Sequence, residues 1–282
     1  DIGAGTTDAA LIQLRMTEKF CERARNFGGR HYVITPVLLG SAGSDVLGGN
    51  LLTLHIFRIL KLMLAHQLQG SQDSDSAELL NPDHLVRFCT AILGGVDQSR
   101  SDRDFAESVL QTQFGADGLQ TGKAPAQIEE RSRRYRLFRF LWEWAEDVKL
   151  KYSNAVRSAR ENVGGSMPPS IELPDFKERI GQLIEIRGKG AGSLSEAADE
   201  GNELTIDCNL LQTLAIATAE RSAKVATALV GAAFDQRRKA LGEEGEPDAA
   251  IVAQTTLQSV VLSGRACELA DAVDSVRRSL KR

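Results

Sequence analysis

"DIGAGTTDAALIQL", residues Asp1 to Leu14, is the stretch on which the fold reading turns. Its first eight residues hold two carboxylates, two glycines and two threonines, and the next six, Ala9 to Leu14, read as a β-strand. A strand beside a tight glycine turn gathers backbone N–H groups at one point. Such a nest accepts phosphate oxygens, glycine lets the backbone approach closely, and threonine hydroxyls add donors. Carboxylates repel phosphate, so their natural partner there is a hydrated Mg²⁺ that bridges to it. An ordinary hairpin with Asp and Thr as turn residues is the alternative reading of the same spacing.

Outward from this stretch, "HYVITPVLLGSAG" (His31 to Gly43) is a second strand, rich in β-branched residues and carrying Pro36 as an edge-type residue. The apolar period then changes. Leu51, Leu54, Ile56, Phe57, Ile59, Leu60, Leu62, Met63 and Leu64 mark a helix after the Gly48-Gly49 turn. The polar region from Gln67 to Gln127 keeps shorter helical pieces around Asp83 to Leu93 and Asp102 to Thr112, and reads as an insertion rather than a linker. A second helix runs from Ile128 through Tyr152, with Tyr135, Phe138, Leu141, Trp142, Ala145 and Val148 on its buried stripe. Strand candidates follow at Ile171 to Leu173 and Leu183 to Ile186. "RGKGAGS" (Arg187 to Ser193) is a hairpin or loop without the spacing of a phosphate loop. A third helix spans Asp207 to Ala240, with Asp207 or Thr205 as its cap. "TTLQSVVLSG" (Thr255 to Gly264) reads as a buried-type strand, and Ala266 to Leu280 as a closing helix.

The 282 residues are 42% apolar and 26% charged, which fits a soluble globular chain of one large or two small domains. The uninterrupted apolar runs are too short to span a bilayer. The net charge of −4 argues against general attraction to nucleic acid. Five arginines in "EERSRRYRLFR" (Glu129 to Arg139) read as the wet face of the second helix rather than an RNA site. Cys21, Cys89, Cys208 and Cys267, and four dispersed histidines, have no metal-cage spacing and point to reduced thiols in a cytoplasmic setting.

The opening stretch resembles the second phosphate motif of the actin, sugar-kinase and DnaK-type chaperone superfamily. Three further stretches resemble that superfamily in its order. "DVLGGNLLTLHIFRIL" (Asp45 to Leu60) is similar to the Gly-Gly turn that opens the next helix in the chaperones. "FLWEWAEDVKLKYS" (Phe140 to Ser153) is similar to the helix lying against the adenosine. "LQSVVLSGRACEL" (Leu257 to Leu269) is similar to the adenosine motif, and its Gly264-Arg265 turn resembles that of SrfB-like proteins, a branch described as virulence factors.

By that resemblance, Asp1 and Asp8 are the catalytic carboxylates and hold Mg²⁺ through water. Gly3, Gly5, Thr6 and Thr7 donate to phosphate, and Gly48 and Gly49 approach the phosphates or ribose. Glu146, Lys149 and Ser153 share one helix face and meet ribose and adenine. Gly264 and Arg265 border the base, with Arg265 standing where a second glycine is common and Cys267 a small buried residue. Leu150 stands in place of a second basic residue, and Glu268 near where one is often found.

The resemblance therefore implies an α/β fold, an RNase-H-like actin-type ATPase half-domain with an inserted, mainly helical subdomain. Residues 1–50 with 204–282 form the nucleotide-binding subdomain, and 51–203 the insertion. It implies the C-terminal half of a DnaK-like ATPase domain binding Mg-ATP. An upstream N-terminal half carrying the first phosphate motif is its partner, no nucleic acid or membrane segment is expected, and the fragment alone binds nucleotide weakly. A non-catalytic interaction scaffold, a sugar or acid kinase of the same superfamily and a filament-forming relative remain open readings.

Overall fold

The computed structural model describes residues 1–19, 31–45, 47–69, 84–85, 87–88, 100–113, 125–162, 165–187, 204–241, 259–264 and 270–281. The elements are β1 (Thr7–Lys19), β2 (His31–Ser44), α1 (Gly49–Gln69), α2 (Arg100–Val109), α3 (Pro125–Glu161), β3 (Ser170–Glu172), α4 (Phe176–Arg187), β4 (Thr205–Asp207), α5 (Cys208–Leu241) and α6 (Ala270–Lys281). The architecture is mixed α and β, with helix predominating and two small antiparallel sheets, β1–β2 and β3–β4. Two compact units are present, Asp1–Gly49 with Ala217–Arg282, and Asn50–Ile216.

In the first unit β1 and β2 form a long ribbon from Thr7↔Ser44 to Lys19↔His31. The register shifts between Leu11 and Ile12, where Leu39 is the extra residue of a bulge. Beyond the bulge Ile12, Leu14 and Met16 stand opposite Leu38, Pro36 and Ile34 on one exposed face. Nearer the base Gly40 lies against α5, where an added Cβ would meet Leu229 Cδ1 at 3.0 Å. Under the hairpin Ile2, Ala223 of α5 and Val276 of α6 form an apolar cluster with Leu262. The buried-type strand expected at Thr255 to Gly264 is corrected over its described part. Residues 259–263 are not a strand, and Val260 and Val261 are exposed. The closing helix begins at Ala270 among the described residues, and Arg265, Cys267 and Glu268 lie outside them.

In the second unit α1 is the core helix, with Leu52, Ile56, Ile59, Leu60 and Leu64 fully buried. Gly49–Leu68 is long and apolar enough to cross a membrane by length and composition alone, and most of it is buried within the protein. Thr53, His55, Arg58 and Lys61 punctuate this stretch, so it contains no long unbroken apolar run. Phe57 of α1 meets Phe138 and Trp142 of α3 at ring separations of 5.4 and 6.2 Å. Buried Trp144 donates from Nε1 to Pro174 O at 3.0 Å, so it packs rather than offers a platform for a base. Tyr135, expected on the buried stripe, is exposed. Its arginine neighbours are partly engaged: Arg133 and Arg134 with Glu130, and Arg139 with Glu143.

Ile171–Leu173 contributes to β3, whereas Leu183–Ile186, expected as a strand, lies inside α4. Ile180 and Leu183 are buried there at i and i+3, a helical spacing that a short apolar run conceals. Asp207 caps α5, accepting at Oδ1 from the amides of Asn209 (2.6 Å) and Leu210 (3.2 Å), while Thr205 belongs to β4. Of the expected Asp83–Leu93 helix, His84, Leu85, Arg87 and Phe88 are described and helical. Residues 188–193 of the glycine loop lie outside the described residues, as do Cys21 and Cys89. Cys208 is free and buried.

Lys61 is buried and ion-paired with Glu107, and it donates to Thr112 Oγ1 at 2.8 Å. Burial pulls its pKa below the usual lysine value, against the raising effect of Glu107. His66 packs on Phe105 at 4.5 Å, and burial pulls its pKa below 6.5, opposed by Asp102 and reinforced by His84. The unfolded chain therefore takes up the His66 proton first on acidification. The stability contributed by neutral His66 is present above pH 6.5 and is lost as pH falls through its lower folded pKa. A His66→Gln variant is expected to show a shallower fall in unfolding midpoint between about pH 7 and pH 5 than the wild type. Parallel profiles would contradict this.

Candidate functional site

The turn at the start of the chain is built by a short antiparallel pairing. Ile2 bridges Thr7, and Asp1 and Asp8 exchange both backbone bonds, the Asp1 nitrogen donating to Asp8 O at 2.6 Å and Asp8 N–H to Asp1 O at 2.8 Å. Hydrogen-bonded partners of this kind project side chains to the same face, with Cβ atoms about 5 Å apart. Two carboxylates thus stand side by side, and both are exposed. Like charges directly opposite one another destabilise a pair unless a cation lies near.

The outer neighbours in this row are glycines. An added Cβ at Gly43, opposite Asp8, would lie 2.6 Å from Asp8 Oδ1. At Gly264, beside Asp1, it would collide with Asp1 Oδ1 and Ile2 O. Ile2 N–H donates to Ser263 O at 2.9 Å, which sets the second segment beside the hairpin. Gly264 has φ +93°, a left-handed conformation that glycine adopts without strain. The order across the row is therefore Gly264, Asp1, Asp8, Gly43, with one carboxylate oxygen leaning on each flanking glycine.

At the tip, Gly3 N–H donates to Thr6 O at 2.9 Å and closes the turn over Ala4 and Gly5. The amides of Ala4, Gly5 and Thr6 make no backbone hydrogen bond among the described residues. Thr6 Oγ1 lies 3.3 Å from Asp8 Oδ2 on the exposed side.

Thr7, Gly48 and Gly49 are buried at the turn. The Thr7 hydroxyl does not face the open side: Thr7 is buried, and its Oγ1 donates to Leu47 O at 2.8 Å. Thr7 pairs with Ile2, whose side chain is core, and the pleat turns both the same way. Gly49 N–H is committed to Gly3 O at 3.0 Å, and Gly48 and Gly49 are buried behind the turn, so they support it rather than line it.

Glu146 and Lys149 of α3 are brought together in the second unit. Lys149 Nζ is 2.7 Å from Glu146 Oε2 and 2.8 Å from Thr53 Oγ1, while Thr53 donates to Glu146 Oε1 at 2.5 Å. The ammonium expected to stay wet over a purine is held by this triad, and its side chain is largely buried. Ser153 lies farther along the same helix and is half-buried. Arg265 lies outside the described residues.

The hydroxyl contacts behind the turn had no signal in the sequence, because Thr7 and Ser222 are 215 positions apart. No group of three or more His, Cys, Asp or Glu residues able to hold a metal ion occurs among the described residues. Comparison of the chain with protein-family models, with curated proteins and with solved structures finds no match in any of the three.

Proposed function

We propose that the Asp1–Asp8 turn binds the polyphosphate of a magnesium nucleotide, as the second phosphate motif of an actin-like, DnaK-type ATPase half-domain. The observation that carries this reading is the pairing of two exposed carboxylates beside three turn amides that make no backbone hydrogen bond among the described residues. Phosphate oxygens take such amides, and the Thr6 hydroxyl on the same side donates to Asp8 Oδ2 and orients that carboxylate. The donor set fits Mg²⁺, which keeps several waters and takes only one or two carboxylates together with substrate phosphates. Asp1 and Asp8 would hold it, and a bound Mg²⁺ neutralises charge on the phosphates. Completion of the site by an N-terminal half is part of this proposal, so the chain alone is expected to bind Mg-ATP more weakly than about 1 μM.

Calorimetric titration with Mg-ATP tests it. Wild-type protein is expected to bind in a magnesium-dependent way, and Asp8→Asn to lose at least about tenfold in affinity, the scale of one charged contact. Equal affinity with and without Mg²⁺, or an unaffected Asp8→Asn variant, would overturn the proposal. The scaffold reading is favoured by a separate observation, the engagement of Lys149 by Glu146 and Thr53. A scaffold would bind no nucleotide at all in this experiment.

A further inference from the structure

We infer that a buried hydroxyl clamp, Thr7 with Ser222, positions the phosphate-type turn by tying it to the segment that supports it. This inference rests on the nucleotide reading for its functional consequence, and on geometry alone for the clamp itself.

Thr7 and Ser222 are both buried, and their hydroxyl oxygens are 3.0 Å apart. Thr7 Oγ1 also lies 2.8 Å from Leu47 O. A hydroxyl carries one proton, so Thr7 donates to the Leu47 carbonyl and accepts from Ser222. The other acceptor near Ser222 is Thr218 O at 3.5 Å, one turn back on α5 and too long to compete well. The three groups thus form a directed chain from α5, through the first residue of β1, to the residue preceding Gly48.

Its position gives it leverage. Gly48 presses on the turn so closely that an added Cβ would lie 2.8 Å from Ala4 O and 2.9 Å from Gly3 O. The next amide, Gly49 N–H, holds Gly3 O. Leu47 leads directly into both contacts, and its carbonyl is fixed by Thr7. Thr7 also begins the strand whose next residue is Asp8. One side chain therefore sets the supporting glycines behind the turn and the strand that carries the acidic side chain. In a buried setting the hydroxyl cannot be replaced by water without rearrangement, and its loss leaves Leu47 O without its donor. The Thr7 hydroxyl is buried and turned to Leu47 O, which makes Thr7 a positioning residue.

The test uses the whole 282-residue chain with Thr7→Val, which keeps the branched shape and deletes the hydroxyl, and Thr7→Ser, which keeps the hydroxyl. Two readouts are taken: hydrogen exchange at the Gly49 amide, and Mg-ATP affinity by calorimetry. Thr7→Val is expected to speed Gly49 exchange and weaken Mg-ATP binding, each by about tenfold, the equivalent of one buried hydrogen bond. Thr7→Ser is expected to restore both to within about threefold of wild type. Unchanged Gly49 exchange in folded Thr7→Val overturns the clamp, whatever the nucleotide result. Faster exchange with unchanged affinity overturns its positioning role. If wild type binds no Mg-ATP, the nucleotide reading and the clamp's function fall together, while the exchange data still decide the clamp. Should Thr7→Val fail to fold, Ser222→Ala shortens the same chain by one bond, and the same two outcomes apply to it.

Discussion

Gly264→Ala is expected to cost the first unit about 3 kcal/mol and to abolish measurable Mg-ATP binding. Two independent effects add. The backbone at Gly264 has φ +93°, where an alanine is strained by about 1–2 kcal/mol. Its Cβ would also fall on Asp1 Oδ1 and Ile2 O, closer than real Cβ atoms approach other atoms. The carboxylate can swing aside, but the Ile2 carbonyl is backbone, and Ile2 is tied on both sides, by Ser263 O and by its bridge to Thr7. Relief therefore requires moving Asp1 out of the row it shares with Asp8. Thermal unfolding should show a midpoint lowered by roughly 8 °C, and titration no binding. A variant with wild-type midpoint and affinity would show that the close approach of Gly264 to Asp1 is not maintained in solution.

Gly48→Ala is expected to weaken Mg-ATP binding by more than about tenfold and to destabilise the protein by about 2 kcal/mol. The added methyl meets Ala4 O, Gly5 C and Gly3 O within 2.9 Å, all backbone atoms of the turn. No rotamer change relieves such a contact, so the turn itself must move. Gly181→Ala on α4 is the control, because an added Cβ there meets nothing within 4 Å. Alanine in an open helical position is expected to be neutral or to stabilise by about 1 kcal/mol. Equal behaviour of the two variants would separate the turn from its supposed support.

These glycines mark where sequence reading was strong and where it stopped. The opening strand, the second strand and the three long helices each announce themselves by period. Asp207 is legible as a cap because a short acidic side chain ahead of an apolar helix has one efficient use. Leu183 to Ile186 misled because four apolar-rich residues cannot distinguish a strand from one helical turn. Val260 and Val261 misled because β-branched residues suit a buried strand, yet burial is set by neighbours that composition does not reveal. At the turn, residue types name candidate donors and carboxylates but not their facing. Thr6 and Thr7 are adjacent and identical, and only the pleat decides that one is exposed and the other holds Leu47 O. Lys149 was legible as a face-mate of Glu146, whereas Thr53, which completes their triad, lies 96 positions from Lys149.

The most direct test of the central claim is an amide-resolved titration of the protein with ATP in the presence of Mn²⁺, a paramagnetic stand-in for Mg²⁺. Selective broadening of the Gly3, Gly5, Thr6 and Asp8 amide signals, reversed by excess Mg²⁺, is the expected result. Uniformly unaffected signals at these four residues, with saturating Mn-ATP, would contradict the account.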